Sequence, residues 1–223
     1  MADQAPRPLH PVDTPGGGSP GRQRNRRGEG ARLRADILDA AAAILGETGN
    51  EQAVTLRAVA RRVGIAAPSI YPHFADRQAI LMALVHGAFT DLETQLTAAA
   101  QSAAEPVARL RAVCTAYLRF AGSRPRHYNL MFGGVWSAAA AQAEGAITSS
   151  EAIQLGQEAL AIFVAALRAC VDAGRSTSDD PQADAVALWV ALHGLAHQRA
   201  VATAFPWPDG MEARLIGPIA HLT

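Results

Sequence analysis

The sequence predicts an all-α protein: an N-terminal three-helix unit containing a helix-turn-helix, followed by a larger C-terminal helical bundle. Three observations lead there. Apolar residues make up 49% of the 223, yet 49 residues are alanine, the strongest helix former, and only 5% are aromatic. From Ala31 onward the apolar positions recur with a helical period. Glycine and proline fall between those runs, as punctuation between helices. A chain of this length can bury a core without disulfides.

Each element has its own local signal. Residues 1–30 hold five prolines, six glycines and no apolar period, and are expected to form a disordered arm that turns basic at its end. Ile37, Ala41, Ile44, Leu45 and Thr48 then define an amphipathic helix that stops at Gly49. Thr55 stands as N-cap before Leu56, Val59, Ala60 and Val63, and Gly64 closes that short helix. A second short segment, Ala66 to Tyr71, tolerates Pro68 only in its first turn and ends at Pro72. Asp76 caps a long helix carrying Ile80, Leu81, Leu84, Val85, Phe89, Leu92 and Leu96.

Glu105-Pro106 opens the next helix, closed by Gly122, and Pro125 opens a short one through Phe132. Residues 133–146 read equally as loop or helix around Trp136. One uninterrupted helix is expected from about Ser150 to Gly174, another over 182–203, and a last one from Met211 to Leu222.

Net charge is zero, but its distribution is uneven. Residues 1–80 carry 11 Arg and 8 acids, whereas 81–223 carry 9 Arg and 12 acids. Six arginines crowd into 22–34 against the single acid Glu29. A basic N-terminal end suits a polyanion, although a solvated tail has the same composition. Cys114 and Cys170 lie inside helical apolar patterns, without metal or disulfide spacing, and read as buried thiols of a reducing compartment. No apolar run is long enough to span a membrane, and the N-terminus lacks the apolar segment of a signal peptide. A soluble, cytoplasmic protein is expected.

Two short helices turning at Gly64 are what a helix-turn-helix needs: one braces across the DNA backbone and the second faces the major groove. Leu56, Val59, Ala60, Val63, Ile65 and Ile70 supply an inner face, leaving Arg57, Arg61, Ala67, Ser69 and Tyr71 directed elsewhere. Ile37-Leu38-Asp39-Ala40-Ala41, Gly49, Thr55-Leu56-Arg57-Ala58-Val59-Ala60, Gly64-Ile65, Ile70-Tyr71-Pro72-His73-Phe74 and Asp76-Arg77 follow one another over about fifty residues. That run resembles the N-terminal domain of TetR (tetracycline-repressor-like) transcriptional regulators.

The resemblance implies a helix-turn-helix over 55–74 within a DNA-binding domain at 31–78, and a ligand-binding and dimerisation domain at 79–223. By position, Thr55 and Arg57 resemble phosphate contacts, Ala67 and Ser69 base-facing residues, Tyr71 and His73 backbone-holding residues, and Arg77 a phosphate-reaching cation. Two positions depart from the family pattern. Ala66 replaces a common Ser or Thr cap, and Pro68 replaces a common Gly. Arg26 and Arg27 are candidates for the minor groove, or for a purely electrostatic role.

The C-terminal half resembles the TetR subgroup with a Trp-x-x-x-His-Gly signature, here Trp189, His193 and Gly194. Tyr117, Tyr128, Phe132, Trp136, Phe163 and His193 are candidates to line a pocket for a small apolar or amphipathic effector, with ordinary core packing the competing role. His193 and His197 have the i, i+4 spacing of a metal pair, but no third ligand is evident, and no metal or cofactor is expected.

The implied partners are double-stranded DNA, bound at a palindromic operator, and a second copy of the chain, paired through helices about 182–203 and 211–222. Two other classes compete with this ligand-responsive regulator, a repressor by family habit. One is an architectural protein that coats nucleic acid without sequence preference. The other is a helical enzyme, for which no convergent nucleophile and base are visible.

Overall fold

In the computed structural model the described residues are 29–134, 136–143, 145 and 147–223. Ten α-helices follow in chain order: α1 Glu29–Thr48, α2 Leu56–Val63, α3 Arg77–Gln101, α4 Pro106–Ser123, α5 Pro125–Phe132, α6 Ala138–Ala143, α7 Ser149–Gln154, α8 Gln157–Asp172, α9 Pro181–Val201 and α10 Met211–Ile219. Among the described residues the only β pairing is an isolated bridge between Ser176 and Leu222. The Ser176 hydroxyl donates to the Ala220 carbonyl at 2.7 Å, which ties the end of the chain to the α8–α9 loop.

The predicted caps form. The Thr55 hydroxyl accepts from the Ala58 N–H at 3.1 Å, and an Asp76 carboxylate oxygen accepts from the Ala79 N–H at 2.8 Å. Gly64 takes φ +81°, and the Ala60 carbonyl then accepts from both Gly64 and Ile65, closing α2 in a left-handed turn. Such caps satisfy end groups that short helices cannot satisfy internally.

One apolar core runs through the molecule, from Ile37, Val59, Ile70 and Phe74 at the N-terminal end to Tyr117, Phe163, Leu188 and Leu192 in the bundle. The long α3 reaches both ends and packs on α1, α4, α5 and α8. Both cysteines are buried within this core.

Two expectations change and one open choice is resolved. The segment after the Gly64 turn is not a regular helix: Ala67–Ser69 forms one 3-10 turn, followed by tight turns through His73. Ala66 contributes no side-chain cap, and Pro72 lacks the N–H that would carry an α-helical ladder past the first turn. The single helix expected from Ser150 to Gly174 is two, α7 and α8, broken at Gly156 with φ +81°. A Cβ at Gly156 would stand 2.8 Å from Cε1 of Phe89, so a helix-breaking glycine also makes room for a ring. The undecided stretch around Trp136 contains α6.

Candidate nucleic-acid interface and effector cavity

At the N-terminal end α1, α2 and the turn segment pack around Ile37, Val59, Ala60, Ile70 and Phe74. Their outward surface carries Thr55, Arg57, Arg61 and Tyr71, all exposed, with Tyr71 showing 60% of its surface. A large ring at that exposure contributes little to the core and is available to a partner. Ser69, His73 and Arg77 are half-buried on the same segment and at the start of α3. Ala67 is half-buried and packs against the core, so its backbone rather than a long side chain meets the surface. Arg26 and Arg27 lie outside the described residues.

Two contacts brace this surface. Arg62 and Glu47 form a two-pronged pair at 2.9 and 2.7 Å, joining α2 to α1. Arg34 sits 4.8 Å from the centre of the Phe74 ring, fastening α1 to the end of the turn segment.

The bundle holds a small, partly open cavity of about 100 Å³, walled by Phe89, Tyr117, Phe132, Phe163 and Trp189 and bordered by Leu155 and Gly156 at the α7–α8 break. Three of the six sequence-proposed residues, Tyr117, Phe132 and Phe163, are therefore in the wall itself. Tyr128 and His193 stand behind it. The Tyr128 hydroxyl is 2.7 Å from His193 Nδ1, and the Tyr117 hydroxyl is 3.2 Å from the same nitrogen. Phe132 closes edge-on against His193 at 5.0 Å between ring centres. Burial pushes the Tyr117 and Tyr128 phenols above their ordinary values, and burial with His197 nearby lowers the His193 imidazole.

Trp136 is not among the wall residues; it is buried with its indole N–H lacking a partner. Phe89, Trp189 and Gly156 line the cavity and were absent from the sequence-proposed set. A glycine inside an apolar helical run was the available signal for Gly156. No described group of three or more His, Cys, Asp or Glu is placed to hold a metal ion, and no described helix is long and apolar enough to cross a membrane.

The short α5 faces both ends of the molecule. Tyr128 and Phe132 point to the cavity cluster, while Arg124 pairs with Asp91 of α3 at 2.8 Å. Arg126 lies against α1, where a Cβ at Gly46 would stand 3.2 Å from its Cδ and Nε. A half-open cleft of about 530 Å³ separates these elements, lined by Leu38, Gly46, Leu84, Asp91, Arg126 and Leu130 among others.

The last long helix leaves a stripe uncovered. Val186, Val190 and Val201 are exposed on α9 with Ala183, Ala187 and Gly194 on the same side, and Phe205 follows at 54% exposure. Large apolar side chains in a row with small residues between them are atypical of a solvated face.

The chain matches two family models in order. Residues 37–84 match bacterial regulatory proteins of the tetR family, and residues 110–218 match the tetracyclin repressor-like C-terminal domain. No curated protein matches the chain by sequence. Among solved structures, a Rhodococcus sp. RHA1 protein of unknown function is similar at 25% identity, over 84% of this chain and 91% of that one, with a TM-score of 0.68. SmeT, the repressor of the Stenotrophomonas maltophilia multidrug efflux pump SmeDEF, is similar at 25% identity over 85% and 90% with a TM-score of 0.64, and its complex with triclosan at 0.65. PfmR of Thermus thermophilus, a TetR family transcriptional regulator, shares the fold at 20% identity, over 84% and 98%, with a TM-score of 0.61.

Proposed function

The chain belongs to the TetR family of bacterial regulatory proteins, and from that premise we propose how this ligand-responsive, DNA-binding transcriptional regulator works. It binds a palindromic operator as a homodimer, represses transcription, and releases DNA when a small effector enters the aromatic cavity. The observation that carries this reading is the exposed set Thr55, Arg57 and Tyr71 on the capped, braced surface of α2 and the turn segment after it. These side chains have no role in the core, and a hydroxyl, a guanidinium and a phenol all suit phosphate oxygens.

Thr55, Arg57, Tyr71, His73 and Arg77 hold the backbone, Ala67 and Ser69 meet bases, and Arg26 and Arg27 enter the neighbouring minor groove. The DNA-binding domain is 31–78 and the effector domain 79–223, with α3 shared between them. One reader of this size covers few base pairs, so two are required. The exposed Val186–Val190–Val201 stripe with α10 is the surface that pairs them.

Effector entry is transmitted by α5. A molecule in the cavity displaces Phe132 and disturbs Tyr128; α5 moves with them, and Arg126 within it and Arg124 just before it carry that movement to α1 and α3. A coupling of roughly 1–3 kcal/mol is enough to shift operator occupancy. SmeT, which is similar in fold and has been solved with triclosan, sets a precedent for a small aromatic ligand. The protein acts in the cytoplasm, where its DNA is.

Selection of bound duplexes from a randomised pool, followed by footprinting, tests the reading. Two inverted half-sites about one helical turn apart, occupied by two chains, are expected. Equal affinity for every duplex overturns it.

A further inference from the structure

A second and larger space lies where the DNA-reading head joins the bundle. The half-open cleft between α1, α3 and α5 holds about 530 Å³, within the roughly 300–1,000 Å³ that small-molecule sites occupy. Its surface is mostly apolar. Leu38, Leu84 and Leu130 supply aliphatic bulk, while Gly46, Ala83 and Gly87 leave the facing helices bare. A Cβ on Gly87 would meet nothing within 4 Å beyond its own helix, so the space beside α3 is open rather than filled by a neighbour.

One cation lies on this surface without an acid bound to it. Among the described residues the arginine ion pairs are Arg62–Glu47, Arg124–Asp91 and Arg199–Glu212, and Arg126 belongs to none of them. Its guanidinium is laid over Gly46 of α1, where a Cβ would stand 3.2 Å from Nε and 3.5 Å from Cζ. The bare backbone at Gly46 therefore gives the charged end its place at the cleft. Glu47, next along α1, is held two-pronged by Arg62, and Arg126 is the smallest influence on it. The two acids of the cleft do not cancel the charge. Asp91 is bound by Arg124 at 2.8 Å. Asp39 is exposed and stands about 10 Å from Gly46 along α1, at a helical rise of about 1.5 Å per residue.

We infer that this cleft is a second ligand site, for an amphipathic monocarboxylate whose carboxylate is taken by Arg126 and whose apolar part lies along Leu38, Leu84 and Leu130. A guanidinium offers a carboxylate two parallel N–H donors, and such charge-assisted pairs are the stronger hydrogen bonds. The site is separate from the aromatic cavity, and its occupant touches α1, α3 and α5 together. It goes beyond the regulator reading and does not depend on it.

Calorimetric titration of the full chain with octanoate, octan-1-ol and octylammonium tests the site, since the three share a chain and differ in the charge of the head. Octanoate is expected to bind at least about fivefold more tightly than octan-1-ol, the size of one hydrogen bond to a charged group, and more tightly still than octylammonium. Arg126→Gln is expected to bring octanoate down to the affinity of octan-1-ol. Gly87→Leu puts a side chain into the open space and a better helix former into α3, so it is expected to block octanoate without lowering the melting temperature. The proposal is overturned if octan-1-ol or octylammonium binds as tightly as octanoate, if octanoate binding survives either substitution unchanged, or if octanoate does not bind. The three-probe comparison on the unaltered chain decides the charge preference even if a variant folds poorly. No DNA enters the measurement, so its failure removes this site and leaves the regulator reading to its own test.

Discussion

The Tyr128 hydroxyl and His193 Nδ1 lie 2.7 Å apart, joining α5 to α9 across 65 residues of sequence, with the two rings stacked at 5.5 Å between centres. The contact connects the helix that reaches α1 to the helix that carries the exposed valine stripe. Its direction follows the state of the imidazole, which accepts at a bare Nδ1 and donates from a protonated one. Tyr128 donates its proton to Nδ1 only while that nitrogen is unprotonated.

Stability should therefore fall as the solution is acidified below about 6.5. Burial, with His197 adding to it, lowers the folded-state pKa of His193 from an ordinary 6.5. The unfolded chain then binds the proton first, so the stabilising effect is complete above 6.5 and is lost as pH drops toward the depressed folded value. Glu105 and Glu151, held below 4.5 by N–H groups at helix starts, act only at lower pH. Urea denaturation at pH 7.5, 6.5 and 5.5 should show the decline, and His193→Gln should flatten it. An equal decline in the variant would remove His193 as its cause.

Tyr71→Ala and Arg77→Ala should each reduce operator affinity by about tenfold or more while changing folding stability little. Tyr71 is 60% exposed, Arg77 is half-buried, and neither residue belongs to the core, so substitution at Tyr71 is expected to cost within about 0.5 kcal/mol and at Arg77 little more. Fluorescence anisotropy with an operator duplex at moderate salt reads the first effect and thermal melting the second. Arg77→Ala should also make the salt dependence shallower, because one phosphate contact is lost. Unchanged affinity in both variants would place the DNA surface elsewhere.

Local chemistry explains which parts of this architecture were legible in sequence. Thr55, Gly64, Asp76, Glu105 and Pro125 act on their own neighbours within four residues, so the helix boundaries they set could be read directly. The space beside Gly156 is taken by Phe89, which comes from a helix far earlier in the chain. A glycine in an apolar period carries no sign of that ring. Likewise Tyr117, Phe132 and Phe163 were selected as aromatics, but only the folded bundle separates wall from backing, and it leaves Trp136 out of the wall. The turn segment contained its own warning in Ala66 and Pro72, whose combined effect is a 3-10 turn in place of a helix.

Both thiols should be inert in the folded chain. Burial pushes Cys114 up to about 12 and also raises Cys170. Only the thiolate reacts, so at pH 8 neither has an appreciable reactive population. Ellman's reagent should register no fast-reacting thiol in buffer and two after denaturation. A fast equivalent in the native state would show that the α4–α8 contact opens readily.

Val190→Asp should convert the dimer to monomer and, with it, weaken operator binding far more than Tyr71→Ala does. Val190 is 55% exposed at the centre of an α9 stripe whose neighbours Ala187 and Gly194 are small enough to admit a second helix closely. In the monomer a carboxylate at that position sits in water at little cost. Across a two-fold seam the same change sets two carboxylates near each other and removes apolar burial from both chains at once. Sedimentation at micromolar concentration reads the assembly, and circular dichroism confirms that each chain remains helical. A dimer that survives Val190→Asp at the same concentration would mean that α9 does not form the seam, and would leave the exposed valines without the partner assigned to them here.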